Sequence, residues 1–263
     1  MKKSVSLLVI AGLIAGCSSP PQTQTDENGE VSNETAAETE NSAYACRTFD
    51  YYSYDKPVPA SEEIGDEFFE DTVIAGDSRV GSLTLYSDLA KRGAEIYYTT
   101  SITLWRIYDV APDEGSDSPM FDVLLDTDRH NIYILLGINE IRNENFDAWA
   151  DEFSAVIDEL LEKAPDHKIY LILNYQPRKL ENIDAESLKV HVEEQNKRLA
   201  EIAKEKHIYY IDISDEMADE TGLVKEELVW DGLHFNTEGS KAFADYLARH
   251  AVREDNYVKE ICE

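Results

Sequence analysis

Four side chains in this sequence carry the chemistry of a base-activated nucleophile. Ser78 follows Gly76-Asp77, Asn139 follows Gly137-Ile138, and Asp231 stands three residues before His234 across Gly232-Leu233. A serine hydroxyl is a poor nucleophile until a base takes its proton. Histidine is the side chain whose ordinary titration range suits that task near neutrality. A carboxylate on the other ring nitrogen fixes the tautomer and stabilises the imidazolium, and one tight loop through Gly232 can present both groups. Asn139 offers a side-chain N–H to a developing oxyanion. A serine at a strand-to-helix turn also has the free N–H groups of a helix start beside it.

These residues need a frame that brings them to one place. Five short apolar, β-branched or aromatic runs supply it: Thr72–Ala75, Ile96–Thr99, Ile132–Leu136, Ile169–Leu173 and Ile208–Ile211. They lack two-residue alternation, as strands buried on both faces should. The gaps between them leave room for a helix each, which is the βαβ pattern. Phe146, Trp149, Phe153, Val156, Ile157, Leu160 and Leu161 form one helical stripe, with Asn145 as N-cap. Leu188, Val192, Leu199, Ile202 and Ala203 form a second, capped by Asp184. Ala242, Phe243, Tyr246, Leu247 and His250 form a third, capped by Asn236 or Thr237. The expected fold is an α/β open parallel sheet covered by helices on both faces. Ligands of such sheets bind beyond the carboxyl ends of the strands. Gly76-Asp77-Ser78-Arg79, Thr100-Ser101, Gly137-Ile138-Asn139-Glu140 and Trp230–Asn236 all fall there.

With that order and placement, Gly76-Asp77-Ser78, Gly137-Ile138-Asn139 and Asp231-Gly232-Leu233-His234 resemble the sequence blocks of the SGNH (GDSL-type) hydrolases, over roughly residues 68–252. The resemblance implies a three-layer α/β/α sandwich with a five-stranded, flavodoxin-like parallel sheet. It also implies ester hydrolysis through an acyl-enzyme, with no metal or cofactor. Ser78 would be the nucleophile, His234 the base and Asp231 its orienting carboxylate. The oxyanion donors would be the Ser78 N–H, the Asn139 side chain and the residue after strand two, where the family has a glycine and this chain has Ser101. Glu140 replaces the aspartate that usually follows the asparagine. Arg79 stands where many members have an apolar residue, and either holds an anionic substrate group or pairs with the protein's own acidic surface. Trp105, Tyr175 and Gln176 are expected to line the substrate cleft.

Composition bounds the partners. The chain has 263 residues, and 54 acidic against 24 basic side chains give a formal charge of −30. That charge excludes nucleic acid and electrostatic docking on anionic lipid. Residues 1–16 read as a leader with a lipobox-like Ile14-Ala15-Gly16-Cys17, so Cys17 is the expected lipidation site. Residues 17–45 read as a disordered acidic tether and 46–263 as the hydrolase domain. The expected location is outside the cytoplasmic membrane, held there by the N-terminal lipid. Cys46 and Cys262 bracket the domain and either form a disulfide or remain free thiols. His130, His167, His191, His207 and His250 lie before strands or on helices, away from the rim, and no metal-ligand spacing occurs. Thr100 to about Asp117 and Asn174–Asp184 are polar, which points to short acyl groups, chiefly acetyl, on a small ester or an acylated glycan. An acyltransferase with the same triad and a glycan-binding domain without turnover remain open alternatives, as does the oligomeric state.

Overall fold

The structure, a computed structural model, describes residues 54–252. Cys17, Cys46, Cys262 and the expected boundaries at 16 and 45 lie outside the described residues.

The five apolar runs form five parallel strands within one residue of the expected positions. They are β1 (Thr72–Gly76), β2 (Glu95–Tyr98), β3 (Asn131–Leu135), β4 (Lys168–Ile172) and β5 (Tyr209–Ile211). The sheet order is β2-β1-β3-β4-β5, so β1 and β3 are central neighbours. Gly76 is in register with Tyr98 on one side and Leu135 on the other, which aligns three strand ends on one rim.

The strands read as continuous apolar runs because successive side chains enter two cores. Val73 and Ala75 of β1, Ile132 and Ile134 of β3, and Ile169 and Leu171 of β4 face one cluster. Ile74, Tyr133, Leu135, Tyr170 and Ile172 face the other. Helices cover both faces, in the three-layer arrangement expected. After the short α1 (Asp66–Phe69) come α2 (Ser78–Tyr86), α3 (Met120–Asp126), α4 (Phe146–Lys163), α5 (Ala185–Lys206), α6 (Ser214–Met217) and α7 (Thr237–Arg249). On α4 the expected stripe is the buried one: Trp149, Phe153, Val156, Ile157 and Leu160. Each such side chain contributes about 1.5–3 kcal/mol by leaving water.

The caps are as read. Asn145, Asp184 and Asn236 accept the N–H of Ala148, Ser187 and Gly239 respectively, which resolves the last cap in favour of Asn236. Before α1 the chain runs extended against β5, where the Val58 N–H donates to the Tyr210 carbonyl at 2.8 Å. No helix among the described residues is long and apolar enough to cross a membrane.

Candidate active site

The β1–α2 turn places Ser78. Gly76 passes so close to β3 that a Cβ there would lie 2.3 Å from the Leu135 carbonyl oxygen, so no larger residue fits. Asp77 caps α2 by accepting the Arg79 N–H at 3.1 Å. This leaves Ser78 as the first residue of a nine-residue helix, half-buried.

The second half of the site is a loop closed at its base by a Val229–Phe235 bridge. Gly232 makes the reversal with φ +91°, a region that side chains disfavour. Asp231 Oδ1 accepts the N–H groups of Leu233 (3.0 Å) and His234 (2.8 Å), and Oδ2 accepts from His234 Nδ1 at 2.8 Å. The other ring nitrogen, Nε2, lies 2.9 Å from Ser78 Oγ. Burial pushes the Asp231 pKa up, but the His234 and Leu233 hydrogen bonds outweigh it and hold the group at about 2. An ionised carboxylate only accepts, so Nδ1 carries the proton and Nε2 of the neutral ring is free to accept from the serine. Ser78, His234 and Asp231 thus come together as the sequence predicted. The arrangement can pass a proton from a hydroxyl to an imidazole whose charge is stabilised from behind.

The third element is the loop after β2. Ser101 has φ +59°, in a turn where the Ile102 N–H donates to the Thr99 carbonyl at 3.3 Å. It therefore adopts the left-handed conformation that a glycine would take at no cost, and its N–H has no partner among the described residues. Asn139 spends one side-chain N–H on the Ile102 carbonyl at 2.7 Å and keeps the second. Next to it, the Glu140 carboxylate accepts the Leu104 N–H. Asn139 and Glu140 together pin this loop to the end of β3. Behind them Gln195 of α5 donates to the Gly137 carbonyl at 2.9 Å. Its signal in the sequence is a polar residue on the apolar stripe between Val192 and Leu199.

Glu140 is 4% exposed, and its Oε2 has no partner among the described residues. Burial raises its pKa from 4.5 to about 7; the Asp77 charge adds to the rise, and the Leu104 N–H and Arg79 oppose it. A carboxyl with a raised folded-state pKa holds more protons folded than unfolded between the two values. Stability therefore falls as pH climbs from about 4.5 to about 7. Glu140→Gln should remove that penalty. Its advantage in unfolding free energy over the natural chain should widen between pH 5 and pH 8, by up to about 3 kcal/mol, and its Tm should rise relative to the natural chain over the same range. A gap that is equal at both pH values would contradict the assignment.

Two sequence expectations are corrected. Arg79 is fully buried and pairs with Asp77 through Nε (2.8 Å) and Nη2 (2.7 Å). It neither reaches a substrate nor lies on the acidic surface, because the Asp77 carboxylate turns inward at the cap and needs a buried counter-charge. Tyr175 is 1% exposed, so it does not line a cleft. Its hydroxyl donates to the Leu233 carbonyl at 2.5 Å and its ring lies under the Arg79 guanidinium at 5.6 Å, so it braces the His234 loop from the core. Trp105 is exposed on a short 3-10 turn of the loop after β2. Trp230, placed on the rim by the sequence, is 67% exposed immediately before Asp231.

Residues 74–242 match the profile of the GDSL-like Lipase/Acylhydrolase family, which covers more than half of the chain. The chain belongs to that family and is a hydrolase. The fold is similar to that of a protein described as lipolytic and of the G-D-S-L family from Desulfitobacterium hafniense DCB-2. That pair has 18% identity and a TM-score of 0.54 over 69% of this chain and 99% of that one. It is also similar to a GDSL-like lipase from Bacteroides thetaiotaomicron VPI-5482, at 13% identity and TM-score 0.52 over 86% and 98%. An acetyl xylan esterase superposes at 16% identity and TM-score 0.51 over 67% and 97%. At these identities the three structures establish the fold alone. No curated protein sequence matches the chain.

Proposed function

We propose that this chain is a serine esterase that removes short acyl groups, chiefly acetyl, from a carbohydrate. The observation that carries the reading is the continuous relay from Ser78 Oγ through His234 to Asp231, at 2.9 and 2.8 Å, at the N-terminus of α2. Ser78 Oγ attacks the ester carbonyl while its proton moves to His234 Nε2. The oxyanion is received by the N–H groups of Ser78 and Ser101 and by the remaining N–H of Asn139. Collapse expels the alcohol, which takes the proton from Nε2, and leaves an acyl-Ser78 ester. Water then attacks that ester, Nε2 takes the water proton and returns it to Ser78, and the carboxylic acid departs.

Short chains are favoured because the loop after β2 turns its apolar side chains inward. Ile102, Leu104 and Ile107 are buried in the core, while Thr100 binds Asp113 at the exposed tip. Little apolar surface is left to collect the roughly 0.8 kcal/mol that each methylene would contribute. The acetyl xylan esterase of similar fold, an enzyme of acetylated carbohydrate by its name, is in line with this reading. Aryl esters of acetate, butyrate and octanoate test it: kcat/KM should be highest for acetyl and lower by butyryl. A rate climbing steadily through octanoyl would show that the substrate is a lipid ester instead.

A further inference from the structure

The loop that carries Asp231 also forms one wall of a cleft of about 310 Å3, lined by Arg178, Lys179, Glu226, Trp230, Asp231 and Gly232 among others. That is the small end of the range for ligand sites. Two of its charges are already used. The Arg178 side chain holds Asp219 and the Val224 carbonyl, each at 2.8 Å, and Asp231 holds His234. Lys179 and Glu226 are exposed and have no ion pair among the described residues. Trp230 presents a large ring to water, with no aromatic partner among the described residues. Its backbone is nonetheless fixed: the Trp230 N–H donates to the His234 carbonyl at 2.9 Å, and the Arg178 N–H donates to the Gly232 carbonyl at 2.8 Å. The indole and the catalytic imidazole therefore belong to one rigid loop.

Resting on the esterase reading above, we propose that Trp230, Lys179 and Glu226 form a subsite for a neutral pyranose ring in the alcohol part of the substrate. The leaving alcohol takes its proton from His234 Nε2, so the alcohol part of the substrate lies beside the loop that carries both His234 and Trp230. A pyranose has a face of C–H bonds and an edge of hydroxyls. The C–H face suits the negative face of an indole ring. The hydroxyls can donate to the Glu226 carboxylate and accept from the Lys179 ammonium. An apolar alcohol would lose by facing the two unpaired charged side chains, Lys179 and Glu226. An anionic sugar would meet Glu226 and Asp231 in a protein of net charge −30.

The test is a ratio of kcat/KM values for two acetate esters: a mono-O-acetylated neutral oligosaccharide, and ethyl acetate, whose alcohol is too small to span the cleft. Both are followed by acid release. Trp230→Ala should lower the ratio about tenfold, mainly through KM on the oligosaccharide, and Trp230→Phe should restore most of it. If Trp230→Ala does not fold, the double variant Lys179→Met/Glu226→Gln, both on exposed side chains, should lower the same ratio about fivefold. An equal loss on both substrates, or no loss on either, overturns the subsite while leaving the esterase intact. A higher ratio for an oligosaccharide carrying a uronate overturns the neutral-ring assignment. A natural chain that turns over neither ester overturns the esterase reading itself.

Discussion

Ser78→Ala loses about four to six orders of magnitude in kcat on an acetate ester, while its Tm stays within a few degrees of the natural chain. The loss is large because no other hydroxyl among the described residues bonds His234 Nε2. The thermal cost is small because Ser78 is half-buried and gives up one hydrogen bond, about 1 kcal/mol. His234→Ala behaves alike. The double variant is hardly slower than either single one, since the two act as a unit and the residual rate comes from the oxyanion donors. Steady-state kinetics with burst-phase titration of an acyl-enzyme checks this. A Ser78→Ala chain that keeps most of its kcat would falsify the nucleophile assignment.

Arg79→Met has the opposite signature, a large effect on stability. It leaves the Asp77 carboxylate 0% exposed without its counter-ion. Breaking a buried pair from one side costs about 3–5 kcal/mol, which for a domain of this size lowers Tm by about 10 °C. Asp77→Asn/Arg79→Met, which keeps the cap oxygen and removes both charges, should recover much of that loss. The substitution also removes the cation above Tyr175, the residue that braces the Leu233 carbonyl, so some activity is lost through the His234 loop. Calorimetry of both variants decides the matter. An Arg79→Met chain that melts with the natural one, with only KM raised, would return Arg79 to the substrate site.

The contrast between Ser78 and Arg79 shows what local sequence can carry. Strand periodicity, helix stripes and caps are properties of neighbouring residues, and they located five strands and the helix starts at Asn145, Asp184 and Asn236. Asp231 and His234 meet within one loop, and their contact follows from a three-residue spacing. Ser78 joins them because parallel strands end on one rim, a rule of the architecture that needs no coordinates.

Arg79, Tyr175 and Glu140 were misread or left without a role for a different reason. Each is polar and next to a motif, which makes it look like a substrate contact. Whether such a side chain faces the cleft or the core depends on which helix and which loop close over it. Arg79 turns inward because Asp77 waits there, and Glu140 turns inward because the Leu104 N–H needs an acceptor. Trp230 is the reverse case: the sequence put it on the rim, and its ring stays in water on a loop held there by backbone hydrogen bonds. The sequence by itself determined the layers, the polar rim and the triad, since these follow from periodicity, from the three-residue spacing of Asp231 and His234, and from the rule that parallel strands end on one rim. The tertiary structure alone decided which polar residues are buried partners and which side chains face the substrate, because burial is set by contacts between segments far apart in the chain.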